Sequence, residues 1–160
     1  MNLSVIVETP KGSRNKIKYD PGRRKFKLSK VMPEGMVFPY DFGFVPGTKA
    51  GDGDPLDVLV LTDAPLFTGC IVDCVLVGVI ELEQEAEGKM TRNDRLVAVA
   101  QASLLYSEVN DLAQLSPIVR KQIEAFFVNY QKVRDIKVRM IGSRGPQEAM
   151  RILRRSRRKK

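Results

Sequence analysis

Three aspartates that stand within six positions of one another are the residues best suited to chemistry. They are Asp52, Asp54 and Asp57, and glycine and proline separate them in the stretch Asp52-Gly53-Asp54-Pro55-Leu56-Asp57. Carboxylates crowded in this way repel each other unless a cation joins them. Oxygen ligands without Cys or His suit Mg²⁺, Mn²⁺ or Ca²⁺. Asp52 and Asp54 would share a face of an extended chain, so the stretch predicts a site for a divalent cation.

An EF-hand calcium loop is one alternative for this stretch, and its pattern does not fit. It needs acidic residues at positions 1, 3 and 5, glycine at position 6 and glutamate at position 12. Counted from Asp52, position 5 is Leu56 and position 6 is Asp57. A turn that merely joins a loop to a strand is the plainer alternative, although three aspartates exceed what a turn needs.

Basic residues decide which anion such a site would bind. Residues 11–30 carry nine lysines and arginines against one acid, Asp20, and residues 81–87 carry four glutamates. If the basic segment lies against the aspartates, the pair would bind a metal ion together with a polyanion. Two metals about 3.5–4 Å apart can hold a hydroxide for attack on phosphorus, and lysines and arginines neutralise phosphoryl oxygens.

The composition is that of one globular domain. The chain has 160 residues, 43% of them hydrophobic and 29% charged, which excludes disorder of the whole chain. Histidine is absent, so histidine-based triads, zinc sites and general bases are excluded. Two cysteines cannot make a disulfide framework, and no apolar run approaches the roughly 20 residues that span a bilayer. These features predict a cytoplasmic protein with no membrane span.

Much of the positive charge lies at the C-terminus. The net charge is +8, and residues 151–160 hold seven basic residues and no acid, so the other 150 residues carry +1. Such a tail can attract nucleic acid through its phosphates without reading sequence. The plainer reading is a solvated helix end, which we prefer.

Short strands come first along the chain, and helices follow. Residues 15–29 predict a hairpin around the turn Asp20-Pro21-Gly22, and residues 32–51, rich in Pro, Gly and aromatics, predict a packed loop or broken strand. Ser116 and Pro117 begin a helix over residues 117–132, and Gly145-Pro146 begins a terminal helix. Strands are further predicted at residues 3–7, 58–61, 71–82 with a bend at Gly78, 96–101 and 136–141. This order favours an antiparallel barrel with helices packed outside it.

The aspartate stretch, continued by Val58, resembles the signature of the family I soluble inorganic pyrophosphatases. The similarity spans roughly residues 5–153. It implies a five-stranded OB-like barrel with two main flanking helices over residues 1–153, ahead of a basic tail at 154–160. It also implies hydrolysis of pyrophosphate with Mg²⁺ (Mn²⁺ as an alternative) and a homohexamer. The other matching stretches, in the same order as in the family, are Ile6-Val7-Glu8-Thr9-Pro10, Ile17-Lys18-Tyr19-Asp20, and residues 38–46, 77–80, 96–99 and 126–130.

The resemblance also implies a role for individual residues. Asp54 would orient or deprotonate the attacking water, and Asp52 and Asp57 would bind the metal. Lys30 stands where the family usually has arginine, and Arg95 where it has lysine. The remaining residues that it implies are the substrate-binding Lys18, Lys30, Arg95 and Tyr130, the further metal ligand Asp94, and the outer acidic residues Glu8 and Asp20.

The chain departs from the family pattern at other positions. Phe42 stands where the family has a tyrosine, and Gln131 where it has a phosphate-binding lysine. Asn93 falls at a metal-binding aspartate, and Asp94 lies one place later, on the other face of a regular strand. Glutamates of residues 83–87 are candidates to complete the metal site. Two alternatives to an active enzyme follow: a weakened relative that binds a phosphorylated ligand or nucleic acid, and an OB-type nucleic-acid binder that uses the tail.

Overall fold

The computed structural model describes residues 2–157 of the chain. In chain order, the strands and helices of this part are β1 (Asn2–Thr9), β2 (Asn15–Asp20), β3 (Lys25–Val31), β4 (Asp41–Phe44), β5 (Asp57–Leu61), β6 (Ile71–Ala86), β7 (Lys89–Arg92), β8 (Arg95–Ala100), α1 (Pro117–Lys132), β9 (Val138–Arg144) and α2 (Pro146–Ser156). A short 3₁₀ turn, Leu112–Gln114, precedes α1.

Five of the strands close into a ring. β1 pairs with β4, β4 with β5, β5 with β8, β8 with β6, and β6 returns to β1. This confirms the five-stranded OB-like barrel with two helices. The β5–β8 pair is parallel, with Val58 opposite Leu96, and every other pair in the ring is antiparallel. Parallel neighbours need a long crossover instead of a hairpin, and here β6 and β7 supply it.

Side chains on the two faces of the barrel strands pack into two separate apolar clusters. Along β8, which is buried throughout, Leu96 and Ala98 pack in one cluster with α2, while Val97 and Val99 pack in the other with α1. Strands covered on both faces read as continuous apolar runs in the sequence. The position of each helix is therefore set by the alternate residues of the same strands.

β6 is the longest strand and is shared by four partners. It pairs with β1, β8, β9 and β7 in turn along its length. Its register against β8 shifts between Leu76 and Gly78, where a bend was predicted. A Cβ at Gly78 would lie 2.6 Å from the Arg144 carbonyl oxygen and 2.7 Å from Leu112 Cβ, so glycine is required there. Past this bend, residues 83–86 of β6 pair with β7 to form a hairpin.

Both helices lie where the sequence predicted them. α1 begins after Ser116, whose hydroxyl oxygen accepts a hydrogen bond from the Val119 amide at 3.2 Å. Ile123 and Phe127 of this helix are buried, whereas Ile118 is 69% exposed. α2 runs through Ser156, so residues 154–156 of the predicted basic tail are helical, and residues 158–160 lie outside the described part. Within residues 2–157, neither helix has the length and apolar character needed to cross a membrane.

The β2–β3 hairpin forms a separate two-stranded sheet beside the barrel. Side chains at the end of β1 hold it there. The Thr9 hydroxyl donates to the Ile17 carbonyl at 2.9 Å and accepts from the Ile17 amide at 3.0 Å, and Glu8 accepts from the Tyr19 amide at 2.8 Å. Lys18, which lies between Ile17 and Tyr19, therefore has a fixed position relative to the barrel.

Candidate active site

A cavity of about 170 Å³ lies where the β2–β3 hairpin, the aspartate loop and α1 meet. The aspartate loop comprises residues 50–57. One wall of the cavity is acidic and is formed by Glu8 with this loop. Another wall is aromatic, and two of its rings belong to α1 and two to residues 38–42. Cationic side chains from the hairpin, from β8 and from the turn after α1 complete the lining. The aspartate loop and the basic segment that the sequence singled out thus converge on one small space.

The aspartate loop is a closed turn, so Asp52 and Asp54 do not lie along an extended chain. The Gly53 amide donates to the Ala50 carbonyl at 3.0 Å, and the Ala50 amide donates to the Asp54 carbonyl at 2.7 Å. Gly53 has φ of +89°, which glycine adopts readily and other residues rarely do. Asp52 accepts a hydrogen bond from the Asp54 amide at 3.0 Å. One of the aspartates is therefore also part of the turn that presents the others.

Hydrogen bonds on the side away from the cavity hold the base of this loop in place. The buried Thr48 hydroxyl donates to the Val45 carbonyl at 2.6 Å and accepts from the Leu56 amide at 2.9 Å. The Lys49 amide donates to the carbonyl of Ser156, at the C-terminal end of α2, at 2.7 Å. α2 therefore steadies the loop without lining the cavity.

Two cations meet the loop carboxylates directly. Lys18 Nζ lies 2.8 Å from Asp54 Oδ2, and Arg95 Nη1 lies 2.5 Å from Asp57 Oδ2. The first pair is half exposed, whereas the Arg95 side chain is only 9% exposed. Arg95 also donates to Asn93 Oδ1. The basic hairpin and the aspartate loop are thus in contact.

The acidic wall carries more carboxylates than these two cations neutralise. Burial raises the pKa of Glu8 to about 7, with a smaller contribution from the charge of Asp57, against a hydrogen bond from the Tyr19 amide. Partial desolvation raises the pKa of Asp52, and Asp57 and Asp54 add to it. A cation would relieve this repulsion, and the donors are hard oxygens. Within residues 2–157 no three Asp, Glu, Cys or His side chains converge closely enough to form a ready-made metal site.

The structure turns the Asp94 carboxylate away from the cavity, contrary to its predicted role as a metal ligand. Asp94 accepts hydrogen bonds from Arg92 at 3.0 Å and from the Leu82 amide at 3.3 Å. The neighbouring Asn93 is buried and lines the cavity instead. Successive side chains point to opposite faces as the chain enters β8, so a shift of one position exchanges an inward carboxylate for an inward amide.

Glu81 and Glu83 of β6 do not replace Asp94 as carboxylates of the cavity. Glu81 pairs with Arg92 and Arg144, and Glu83 pairs with Arg139 at 2.6 Å, all outside the cavity. Gln84, on the opposite face of the same strand, is the residue of this group that lines the cavity. The alternation of the strand therefore places a neutral amide where the resemblance implied a carboxylate.

Two more expected site residues lie outside the cavity lining. The Asp20 carboxylate accepts hydrogen bonds from the Gly22 amide at 3.0 Å and the Arg23 amide at 3.2 Å, so it belongs to the hairpin turn and is no outer part of the acidic wall. Lys30 is exposed on β3, opposite Lys16. Desolvation lowers the pKa of Lys30, and the charges of Arg134, Lys16 and Lys18 lower it further, which places Lys30 near the cavity without lining it.

Tyr130 and Phe42 both belong to the aromatic wall of the cavity. Tyr130 is 5% exposed and lines the cavity from α1. The Phe42 ring lies 4.9 Å from that of Phe38 and 5.6 Å from that of Phe127, between ring centroids. Phe42 therefore presents an apolar surface where a tyrosine would present a hydroxyl. Gln131 donates to Gln84 Oε1 at 2.9 Å across the same wall.

Sequence reasoning missed two basic residues of the cavity, Lys16 and Arg134. Both had a signal. Lys16 is two residues before Lys18 on the same strand, and Arg134 is four residues after Tyr130, about one helical turn. Lys132, the nearest basic residue to Gln131, is exposed and lines a different surface hollow.

A family model described as inorganic pyrophosphatase matches residues 5–160. The chain belongs to the inorganic pyrophosphatase family. The inorganic pyrophosphatase of Methanosarcina acetivorans is 37% identical over 151 residues, which cover 94% of this chain and 88% of that protein. Family membership confirms the resemblance, which the sequence placed over roughly residues 5–153.

Solved structures of pyrophosphatases share the fold. The crystal structure of the inorganic pyrophosphatase from Thermus thermophilus aligns with a TM-score of 0.86 at 31% identity and covers 96% of this chain and 87% of its own. That of the inorganic pyrophosphatase from Helicobacter pylori aligns with a TM-score of 0.90 at 29% identity, covering 97% and 91%. This chain therefore shares its barrel with two helices with these pyrophosphatase structures.

Proposed function

We propose that the protein hydrolyses inorganic pyrophosphate to two phosphates with Mg²⁺, in the cavity between the aspartate loop and the basic hairpin. Membership of the family supports inorganic diphosphatase activity in general. The observation that carries the specific proposal is the contact between Lys18 and Asp54 at 2.8 Å. It joins an oxygen-rich wall suited to a hard cation with a cationic wall suited to phosphoryl oxygens.

The donor chemistry of the cavity fits magnesium, with manganese as an alternative. Asp52 and Asp57 would hold the ion. When bound, Mg²⁺ neutralises phosphoryl oxygens and increases the acidity of water. Asp57 is the more buried of the two, and its Oδ2 lies 2.5 Å from Nη1 of the buried Arg95. Arg95 would then share Asp57 and hold its carboxylate in one orientation.

The chain's own side chains account for the remaining requirements of hydrolysis. The exposed Asp54 carboxylate can accept a proton from the attacking water. Lys18, whose Nζ lies 2.8 Å from Asp54 Oδ2, would bind a phosphoryl oxygen. The Tyr130 hydroxyl, which accepts a hydrogen bond from Arg134 at 3.3 Å, would donate to a second phosphoryl oxygen. The Phe42 ring would exclude water from the α1 side.

A colorimetric assay of phosphate release tests the proposal with one variant and one control. Asp54→Asn removes the proton acceptor and keeps the shape, so we expect kcat to fall by about 10²–10⁴. Asp73→Asn is the matched control, because Asp73 is exposed and its carboxylate accepts a hydrogen bond from Ser4 Oγ outside the cavity. It should retain wild-type activity. No phosphate release by the wild-type protein at any Mg²⁺ concentration would overturn the proposal.

A second candidate function is a binding protein of the same fold with little hydrolysis. Three neutral groups favour it, because Phe42, Asn93 and Gln131 all line the cavity. It predicts calorimetric binding of methylenediphosphonate with no phosphate release from pyrophosphate. The same assay therefore separates the two candidates.

We also propose that the protein forms a homo-oligomer in the cytoplasm, and the implied homohexamer is the specific form to test. Leu104, Leu105 and Phe67 are 83%, 74% and 68% exposed, and an assembly would remove such apolar surface from water. Light scattering should give six times the chain mass of 18.0 kDa. The two cysteines are unpaired, which agrees with a reducing compartment.

A further inference from the structure

The α1 side of the cavity carries cations that no carboxylate neutralises. Lys18 and Arg95 pair with aspartates. Lys16 and Arg134 also line the cavity, but among residues 2–157 neither forms an ion pair with Asp or Glu. Lys30 stands close by, and repulsion from Arg134, Lys16 and Lys18 adds to the lowering of its pKa by desolvation. The charge here is therefore suited to an anion.

Arg134 is held in place by its neighbours on α1. Its Nη1 donates to the Tyr130 hydroxyl at 3.3 Å and to Gln131 Oε1 at 3.1 Å. Its guanidinium carbon lies 5.3 Å from the centroid of the Tyr130 ring, and Lys16 Nζ lies 5.2 Å from the same centroid. Two cations on one aromatic ring repel each other, and an anion that contacts both relieves that repulsion.

One donor of Arg134 is left without an acceptor among residues 2–157. This is its buried Nε, which makes no hydrogen bond within that range, although buried polar groups are nearly always paired. The guanidinium fork suits the oxygens of phosphate, which accept two parallel hydrogen bonds. Gln131, which supplies no charge itself, uses its amide oxygen to orient this fork. Lys132 cannot take the role, because its side chain lies on a different surface.

We propose that Arg134, together with Lys16, binds a phosphoryl group on the α1 side of the cavity. This rests on the proposed function for the identity of the anion, a diphosphate. The arrangement gives the cavity two ends. The aspartate loop acts on one phosphoryl group, and the Arg134–Lys16 pair retains the other. Arg134 therefore compensates for the uncharged Gln131 from the next turn of the chain.

Calorimetric binding of methylenediphosphonate and steady-state hydrolysis of pyrophosphate test this role together. Arg134→Gln should weaken binding by about 10- to 100-fold, because a hydrogen bond to a charged group is worth that factor, and should raise KM similarly. Lys132→Gln is the matched control, with the same loss of charge two positions away, and should change both less than twofold. Arg134→Lys should recover part of the affinity, since it restores charge without the fork.

Unchanged binding and unchanged KM in Arg134→Gln would overturn the inference while leaving the proposed function intact. Absence of hydrolysis in the wild-type protein, with Arg134-dependent binding of methylenediphosphonate, would overturn the proposed function and support the inference. Circular dichroism checks that each variant folds. If Arg134→Gln does not fold, Lys16→Gln carries the same test, with the exposed Lys25→Gln on the neighbouring strand as its control, and equal binding by these two overturns the inference.

Discussion

The pair between Arg95 and Asp57 makes a quantitative prediction about how the cavity is built. The nitrogen–oxygen distance is 2.5 Å, and the two side chains are 9% and 28% exposed. Arg95→Met would leave Asp57 beside an apolar group and without its partner. Removal of one partner from a buried pair costs about 3–5 kcal/mol. Because Asp57 keeps some contact with water, we expect about 2–3 kcal/mol here.

A double-mutant cycle measures this coupling. Asp57→Asn in the Arg95→Met background should cost less than Asp57→Asn alone, with a coupling energy of about 1.5–3 kcal/mol. Urea denaturation in EDTA gives the free energy of unfolding of all four proteins. The concentration of protein must be the same throughout, because an oligomer gains stability with concentration. An unchanged m value would show that the denatured states are comparable.

The exposed pair between Arg139 and Glu83 is the matched control for this cycle. Its distance is 2.6 Å, but the arginine side chain is 69% exposed. Exposed pairs contribute about 0–1 kcal/mol, so its coupling should be clearly smaller. Equal coupling in the two cycles, or additivity within about 0.5 kcal/mol for Arg95 and Asp57, would refute the claim that burial makes Arg95 the support of Asp57.

Three further predictions concern the frame around the cavity. A Cβ at Gly43 would overlap the Ile6 carbonyl oxygen, so Gly43→Ala should lower the thermal unfolding midpoint and cost about 1–3 kcal/mol, whereas an unchanged midpoint would contradict this close approach. Asp41 is fully buried and accepts three hydrogen bonds, so Asp41→Ala should cost about 2–4 kcal/mol in urea denaturation. Hydrogen bonds from the Ser103 hydroxyl and the following amides lower the pKa of Asp63. The ionised form therefore stabilises the fold above about pH 4 and this stability is lost as the pH falls through the folded pKa, so Asp63→Asn should unfold less steeply with acid than the wild type.

The barrel and the aspartate loop could be predicted because their signals are local. The apolar runs of β5 and β8, the Ser116 cap of α1 and the crowding of Asp52, Asp54 and Asp57 each depend on neighbours in the chain. The parallel pairing of β5 with β8 could not be predicted, since it depends on where the long β6 strand returns. The hydrogen bonds that close the turn at Gly53 could not be predicted either, because they depend on how the backbone of residues 50–54 folds back on itself.

The site was harder to predict wherever one position decides which way a side chain points. Asp94 was expected in the cavity, and Asn93 occupies it because the strand alternates. Arg134 was missed because it lies two residues past the end of α1, so its four-residue spacing from Tyr130 is a signal only if the helical course continues into the turn. Lys18 could be placed from its spacing in the hairpin only with the help of the family resemblance.

Hydrolysis of pyrophosphate in water enriched in ¹⁸O tests the central claim most directly. If water bound in the cavity attacks phosphorus, ³¹P nuclear magnetic resonance should show pyrophosphate converted to phosphate. One ¹⁸O from the water should then be present for every two phosphates formed. The conversion should require Mg²⁺ and should be lost in Asp54→Asn. A pyrophosphate signal that persists unchanged beside the folded wild-type protein and Mg²⁺ would contradict the account.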